Sequence, residues 1–189
     1  MKNVYKLKLN ISDLAKGFKV DKKFFKKVAK ETLALIGFAV GKGFEINLAF
    51  IGESEMKKLN RCFLGKNKAT DVLSFSEIVI PQGKLARKLK LENVLKKRKL
   101  IKKISELSMG ITHNLGGENF FLFDNNNQIV ICLPYAEKQA KKLKLTLKQE
   151  LAMLLSHGIL HILGYDHERS KKEAKIMDEL QNIMTEKFK

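Results

Sequence analysis

Residues 156–168 read Ser-His-Gly-Ile-Leu-His-Ile-Leu-Gly-Tyr-Asp-His-Glu and hold three of the chain's four histidines. His157 and His161 stand four apart, so a helix through them puts both imidazoles on one face, one turn apart. Gly164 is suited to the left-handed conformation that ends a helix. Beyond that stop the chain can turn back and bring His167 toward the same point. The stretch therefore predicts a helix with a defined end and three imidazoles converging beside it. Three imidazoles with a fourth direction open form the donor set of a working zinc site, because structural sites fill all four positions with protein ligands. Unrelated surface or core histidines do not account for this spacing.

The spacing H-x-x-x-H-x-x-G-x-x-H is similar to that of the metzincin peptidases, in which a glutamate follows the first histidine as general base. Here that position is Gly158. The metal donors are kept and the peptidase base is missing. Asp166 and Glu168 flank His167, and either is chemically suited to accept a hydrogen bond from a ligand imidazole. Glu150 lies seven residues before His157, two turns back on the same helix face, as a further candidate for base or imidazole partner. His113 stands outside the cluster, in the glycine-bearing stretch from Gly110 to Glu118, and reads as an ordinary loop histidine. Three imidazoles also suit nickel, copper or iron, so the donor set alone does not name the metal.

The rest of the chain supplies a fold to carry this helix. Tyr5, Leu7, Leu9 and Ile11 alternate with polar residues, as do Phe44, Ile46, Leu48 and Phe50, and both runs predict half-buried strands. Between them, Asp21 is placed to cap a helix bearing Phe24, Phe25, Val28, Ala29, Thr32, Leu33 and Ile36 on one face. Ser54 or Glu53 opens a short helix through Met56, Leu59 and Asn60. Val72–Phe75 and Ile78–Ile80 read as a third strand closed by Pro81, and Gln128–Leu133 as a buried one. Pro134 suits the first turn of a helix running to about Leu143. Thr146 and Gln149 form a capping box that opens the histidine helix, and Ser170 with Glu173 a second one that opens a C-terminal helix with Ala174, Met177, Leu180, Ile183 and Met184 inward. This mixture predicts an α+β class, a small mixed sheet packed with helices, in one domain spanning residues 1–189.

Cys62 and Cys132 are the only cysteines and form no C-x-x-C, which excludes a cysteine-zinc knuckle and predicts two buried reduced thiols. The N-terminal residues lack the unbroken apolar run of a signal peptide, and no apolar stretch is long enough to span a bilayer, so a cytoplasmic protein is expected. The formal net charge is +17, from 37 Lys and Arg against 20 acids, which favours a polyanionic partner such as nucleic acid. Residues 84–103 contain ten of those cations and a single acid, Glu92. They give that segment a local charge of +9.

The stretch H-G-I-L-H-I-L-G-Y-D-H resembles the signature of the YbeY family, zinc-dependent endoribonucleases of bacterial rRNA maturation, with Ile162 in place of a leucine. A second block is similar: Asn60 through Phe75, with Lys66 and Thr70-Asp71-Val72-Leu73-Ser74-Phe75. The resemblance implies a single α+β domain with a zincin-like helix, and one zinc held by His157, His161 and His167. It also implies single-strand cleavage of RNA in 16S rRNA 3′-end maturation and ribosome quality control, with rRNA and the small ribosomal subunit as partners. Three departures stand out. The arginine that the family places after its aromatic residue falls on Leu64, leaving Arg61 and Lys66 as the nearby cations able to take its catalytic part. A family Gly-Asp pair appears as Asn127-Gln128. The connection 81–127 is longer than the family's, a basic insertion whose segment 84–103 reads as an arm for RNA or the ribosome. A non-catalytic RNA-binding assembly factor with a structural zinc, and a metallopeptidase, are the competing readings.

Overall fold

The computed structural model describes residues 7–15, 18–36, 44–76, 127–168 and 171–189. In chain order the elements are β1 (Lys8–Asp13), α1 (Lys22–Leu35), β2 (Glu45–Ile51), α2 (Glu53–Leu64), β3 (Val72–Phe75), β4 (Asn127–Cys132), α3 (Leu133–Leu143), α4 (Leu147–Ile162) and α5 (Lys171–Lys187). The strands form one sheet in the order β1-β2-β4-β3. β1 and β4 both run parallel to β2, and β3 runs antiparallel to β4. The class is α+β with a small mixed sheet, as the alternating and helical patterns imply. Tyr5, residues 78–80, His113 and the basic stretch 84–103 lie outside the described residues.

Pleating divides the sheet into two apolar faces. Ile46, Leu48 and Phe50 of β2, with Ile129 and Ile131 of β4, share the main core with Phe25, Val28 and Leu33 of α1 and Leu151, Leu155 and Ile159 of α4. The opposite pleat places Ile51, Val130, Cys132 and Leu73 against Met56 of α2. Every residue of β4 is buried, as a strand covered on both faces requires. Asn127 ties its first turn of pairing down: its amide donates to the Glu45 carbonyl at 2.9 Å and accepts from the Ser76 hydroxyl at 3.1 Å. Cys132 is buried as expected, but Cys62 is exposed. It falls on the outer side of α2, whose buried residues are Met56 and Asn60.

Local signals set the helix boundaries. The Asp21 carboxylate accepts from the Phe24 N–H at 3.1 Å and caps α1. α2 begins at Glu53 after Gly52 and continues past Asn60 to Leu64, where Gly65 turns left-handed at φ +70°. α3 starts one residue ahead of Pro134. Thr146 and Gln149 make the reciprocal pair of bonds of a capping box at the start of α4. Ser170 is outside the described residues, and the Glu173 carboxylate accepts from the Asp166 N–H at 2.8 Å. No helix among the described residues is long and apolar enough to cross a membrane.

The seat of α4 on the sheet depends on Gly158. A Cβ there would lie 2.9 Å from Cγ2, 3.0 Å from Cδ1 and 3.1 Å from Cγ1 of Ile129 in β4. Ile129 is fully buried and has no room to retreat. A glutamate at 158 would point into the sheet, so the missing peptidase base is excluded by packing as well as by sequence. Gly158→Ala is expected to lower unfolding stability by about 1–2 kcal/mol in urea titration, overpacking outweighing the roughly 1 kcal/mol of added helix propensity. A Gly158→Ala protein more stable than the parent would contradict this seating.

Candidate metal centre

Two turns of α4 and its stop build the site. The helix ends in a Schellman motif: the Gly164 N–H donates to the His161 carbonyl at 3.0 Å and the Tyr165 N–H to the Leu160 carbonyl at 3.0 Å. Gly164 takes φ +85°, which a side chain rarely tolerates. This reversal carries His167 back beside the helix. The ring centroids of His157, His161 and His167 lie 4.5, 5.4 and 5.3 Å apart pairwise. One nitrogen from each ring lies within 4.8 Å of the other two. His157 and His161 are half-buried and His167 is exposed, so the cluster opens to solvent on the His167 side.

The donor set fits a metal ion. His157 Nε2 and His161 Nε2 face each other at 2.9 Å. Two nitrogens bound tetrahedrally to zinc at about 2.0–2.1 Å stand about 3.3 Å apart, a small adjustment from the observed spacing. Burial also keeps these rings in the neutral, ligating form. It pushes His157 down to about 4, with His161 and His167 adding to the effect and Asp71 opposing it. His161 is lowered in the same way, by burial first and then by His167. Below its ordinary pKa of 6.5 the unfolded chain takes up a proton that folded His157 refuses, so this contribution to stability is lost as pH falls from 6.5 toward 4.

The acids suggested by the sequence do not hold these rings. The Asp166 carboxylate accepts from the Glu168 N–H at 2.9 Å. Glu150 is fully buried and neither carboxylate oxygen has a hydrogen-bond partner. The imidazole partner is a residue sequence reasoning missed: the Gln181 amide of α5, 2.8 Å from His157 Nδ1. Arg61 sits in the last turn of α2 and Lys66 just beyond it, both exposed. Leu64 between them is 55% exposed. No hydrogen bond among the described residues joins Arg61 or Lys66 to the histidines.

Burial, with the Asp71 charge adding to it, pushes the Glu150 carboxyl up to about 7. Its folded pKa exceeds the unfolded one, so the protonated acid is tolerated and stability falls as pH rises through 4.5 to 7. Glu150→Gln is therefore expected to be more stable than the parent at pH 8 by roughly 2–3 kcal/mol, with the gain shrinking toward zero near pH 4. Denaturant midpoints at the two pH values check this; a gain independent of pH would contradict it.

Residues 10–189 match the family model described as Endoribonuclease YbeY. An Endoribonuclease YbeY of Persephonella marina is 33% identical over 170 residues, covering 90% of this chain and 85% of that protein. One from Leptospira interrogans is 38% identical over 133 residues, covering 70% and 79%. A solution structure from Thermotoga maritima aligns over 96% of this chain and 87% of its own at 22% identity, with a TM-score of 0.49. The family match over nearly all of the chain joins the three-histidine cluster in one conclusion: this chain belongs to the YbeY endoribonuclease family.

Proposed function

We propose that this chain is a zinc-dependent, single-strand-specific endoribonuclease acting in 16S rRNA 3′-end maturation and ribosome quality control. The observation that carries the reading is the convergence of His157, His161 and His167 within 4.8 Å, with the exposed His167 on the open side. The family supplies the reaction, hydrolysis of RNA phosphodiester bonds. His157, His161 and His167 would hold a zinc ion, which would supply Lewis-acid chemistry toward a phosphate oxygen and activation of water. His157 and His161, kept neutral by burial, offer their lone pairs at neutral pH without first losing a proton. His167, exposed beyond the helix stop, borders the side from which a single strand approaches.

The protein's other contributions are electrostatic. Charge develops on phosphate oxygens as the bond breaks, and fixed cations nearby stabilise it. Arg61 and Lys66 are the proposed cations, because Leu64 offers no donor. Residues 84–103 are the proposed contact to rRNA and the small ribosomal subunit, on the strength of ten cations against one acid. The cytoplasm is the compartment in which such a substrate is met.

Incubating zinc-loaded protein, chelator-stripped protein and His161→Ala with a 16S 3′-end precursor tests the reading. Cleavage is expected from the zinc-loaded protein alone, and Arg61→Ala or Lys66→Ala is expected to slow it by about 100–1000-fold, as loss of a charge-stabilising donor does. Equal cleavage by stripped protein and by folded His161→Ala would overturn the metal-dependent mechanism. RNA binding with no cleavage by any form would favour the non-catalytic assembly factor.

A further inference from the structure

The three histidines come from α4 and its stop, but one ring is held from elsewhere. His157 directs Nε2 at His161 Nε2, 2.9 Å away, and turns Nδ1 to the side-chain amide of Gln181, 2.8 Å away. Gln181 lies 24 residues further on, in α5. The two helices run antiparallel there, and two further contacts set their register. The Gln149 amide, part of the capping box of α4, donates to the Thr185 carbonyl at 3.3 Å. Within α5 the Thr185 hydroxyl donates to the main-chain carbonyl of Gln181 at 2.8 Å. On the far side of the Gln181 contact, Leu160 of α4 packs with Met177 and Leu180 of α5 in a buried apolar cluster. Gln181 is thus pinned between a polar contact and an apolar one, at the height of His157.

We infer that Gln181 is a positioning residue for the metal centre, selecting the tautomer of His157 that can ligate. A ring that gives the Nε2 lone pair to an ion carries its hydrogen on Nδ1, and that N–H needs an acceptor. The Gln181 amide nitrogen lies 2.8 Å from Nδ1, and turning the amide over puts its carbonyl oxygen there as that acceptor. A half-turn of the amide exchanges its oxygen and nitrogen while keeping the heavy-atom positions. With the oxygen toward the ring, Nε2 is bare and ready for metal. With the nitrogen toward the ring, Nδ1 accepts and Nε2 carries the hydrogen that closes the contact to His161. An amide serves both states, whereas a carboxylate at 181 can only accept and would hold the ligating tautomer permanently. The inference rests on the three histidines being the metal site, and it makes α5 part of that site.

Zinc affinity, measured by competition with a chromophoric chelator, tests it without any RNA. Gln181→Leu is expected to bind zinc about 10–100-fold more weakly than the parent, and Gln181→Glu as tightly or more tightly. The same order is expected in the visible spectrum of cobalt-loaded protein, with the tetrahedral bands of the parent kept in Gln181→Glu and weakened in Gln181→Leu. Circular dichroism of the metal-free variants checks folding, and where Gln181→Leu fails to fold, Gln181→Glu alone decides. Parental affinity in folded Gln181→Leu, or a loss of about tenfold or more in Gln181→Glu, would overturn the inference. Failure of the parent itself to bind zinc would instead overturn the metal site beneath it.

Discussion

The close approach of α4 to β4 at Gly158 is the constraint on which the site depends. With no side chain between them, the helix backbone settles onto Ile129 and the sheet sets its rotation. At about 100° per residue, His157 is then about 100° round the helix from the face that meets the sheet, and His161 about 60° on the same side. That is the margin of the buried surface, where both rings are half-buried. A helix turned to carry a side chain at 158 would swing the histidines out toward water or in beneath β4. The glycine that removes a peptidase base is therefore also the residue that aims His157 and His161.

Half-burial decides the chemistry of the two helix histidines. Fully exposed imidazoles protonate near their ordinary pKa and compete poorly for a cation in mild acid. Here desolvation and the proximity of like groups hold His157 near 4 and lower His161. The exposed third ring, delivered by the Schellman turn at Gly164, keeps the cluster reachable by something as large as RNA. Glu150 shows the same desolvation acting on an acid two turns earlier, where it favours the neutral form.

Much of this arrangement was legible in the sequence. The i, i+4 pair, the glycine stop, the Thr146–Gln149 capping box and the Asp21 cap are local features, each determined by a few consecutive residues. The alternating run at residues 44–50, the apolar run at 128–133 and the helical stripes between and after them sufficed for an α+β class. What escaped was non-local. Nothing near position 158 announces Ile129, which arrives from β4, 29 residues back along the chain. Gln181 reaches His157 from another helix, whereas Asp166, adjacent in sequence to His167, turns its carboxylate to the nearby backbone. One signal was available: Gln181 interrupts the inward stripe of Met177, Leu180 and Met184, and a polar residue on a buried stripe requires a partner. Cys62 is exposed, against the expectation of a buried thiol, because the buried stripe of α2 settles on Met56 and Asn60.

The proposal on which the function rests is that α4 and its stop deliver three imidazoles to one zinc ion. X-ray absorption of the zinc-loaded protein measures this directly. Three imidazole nitrogens at about 2.0–2.1 Å with one oxygen are expected, falling to two imidazoles in His167→Ala. A sulfur shell at about 2.3 Å, or an imidazole count unchanged by His167→Ala, would contradict it.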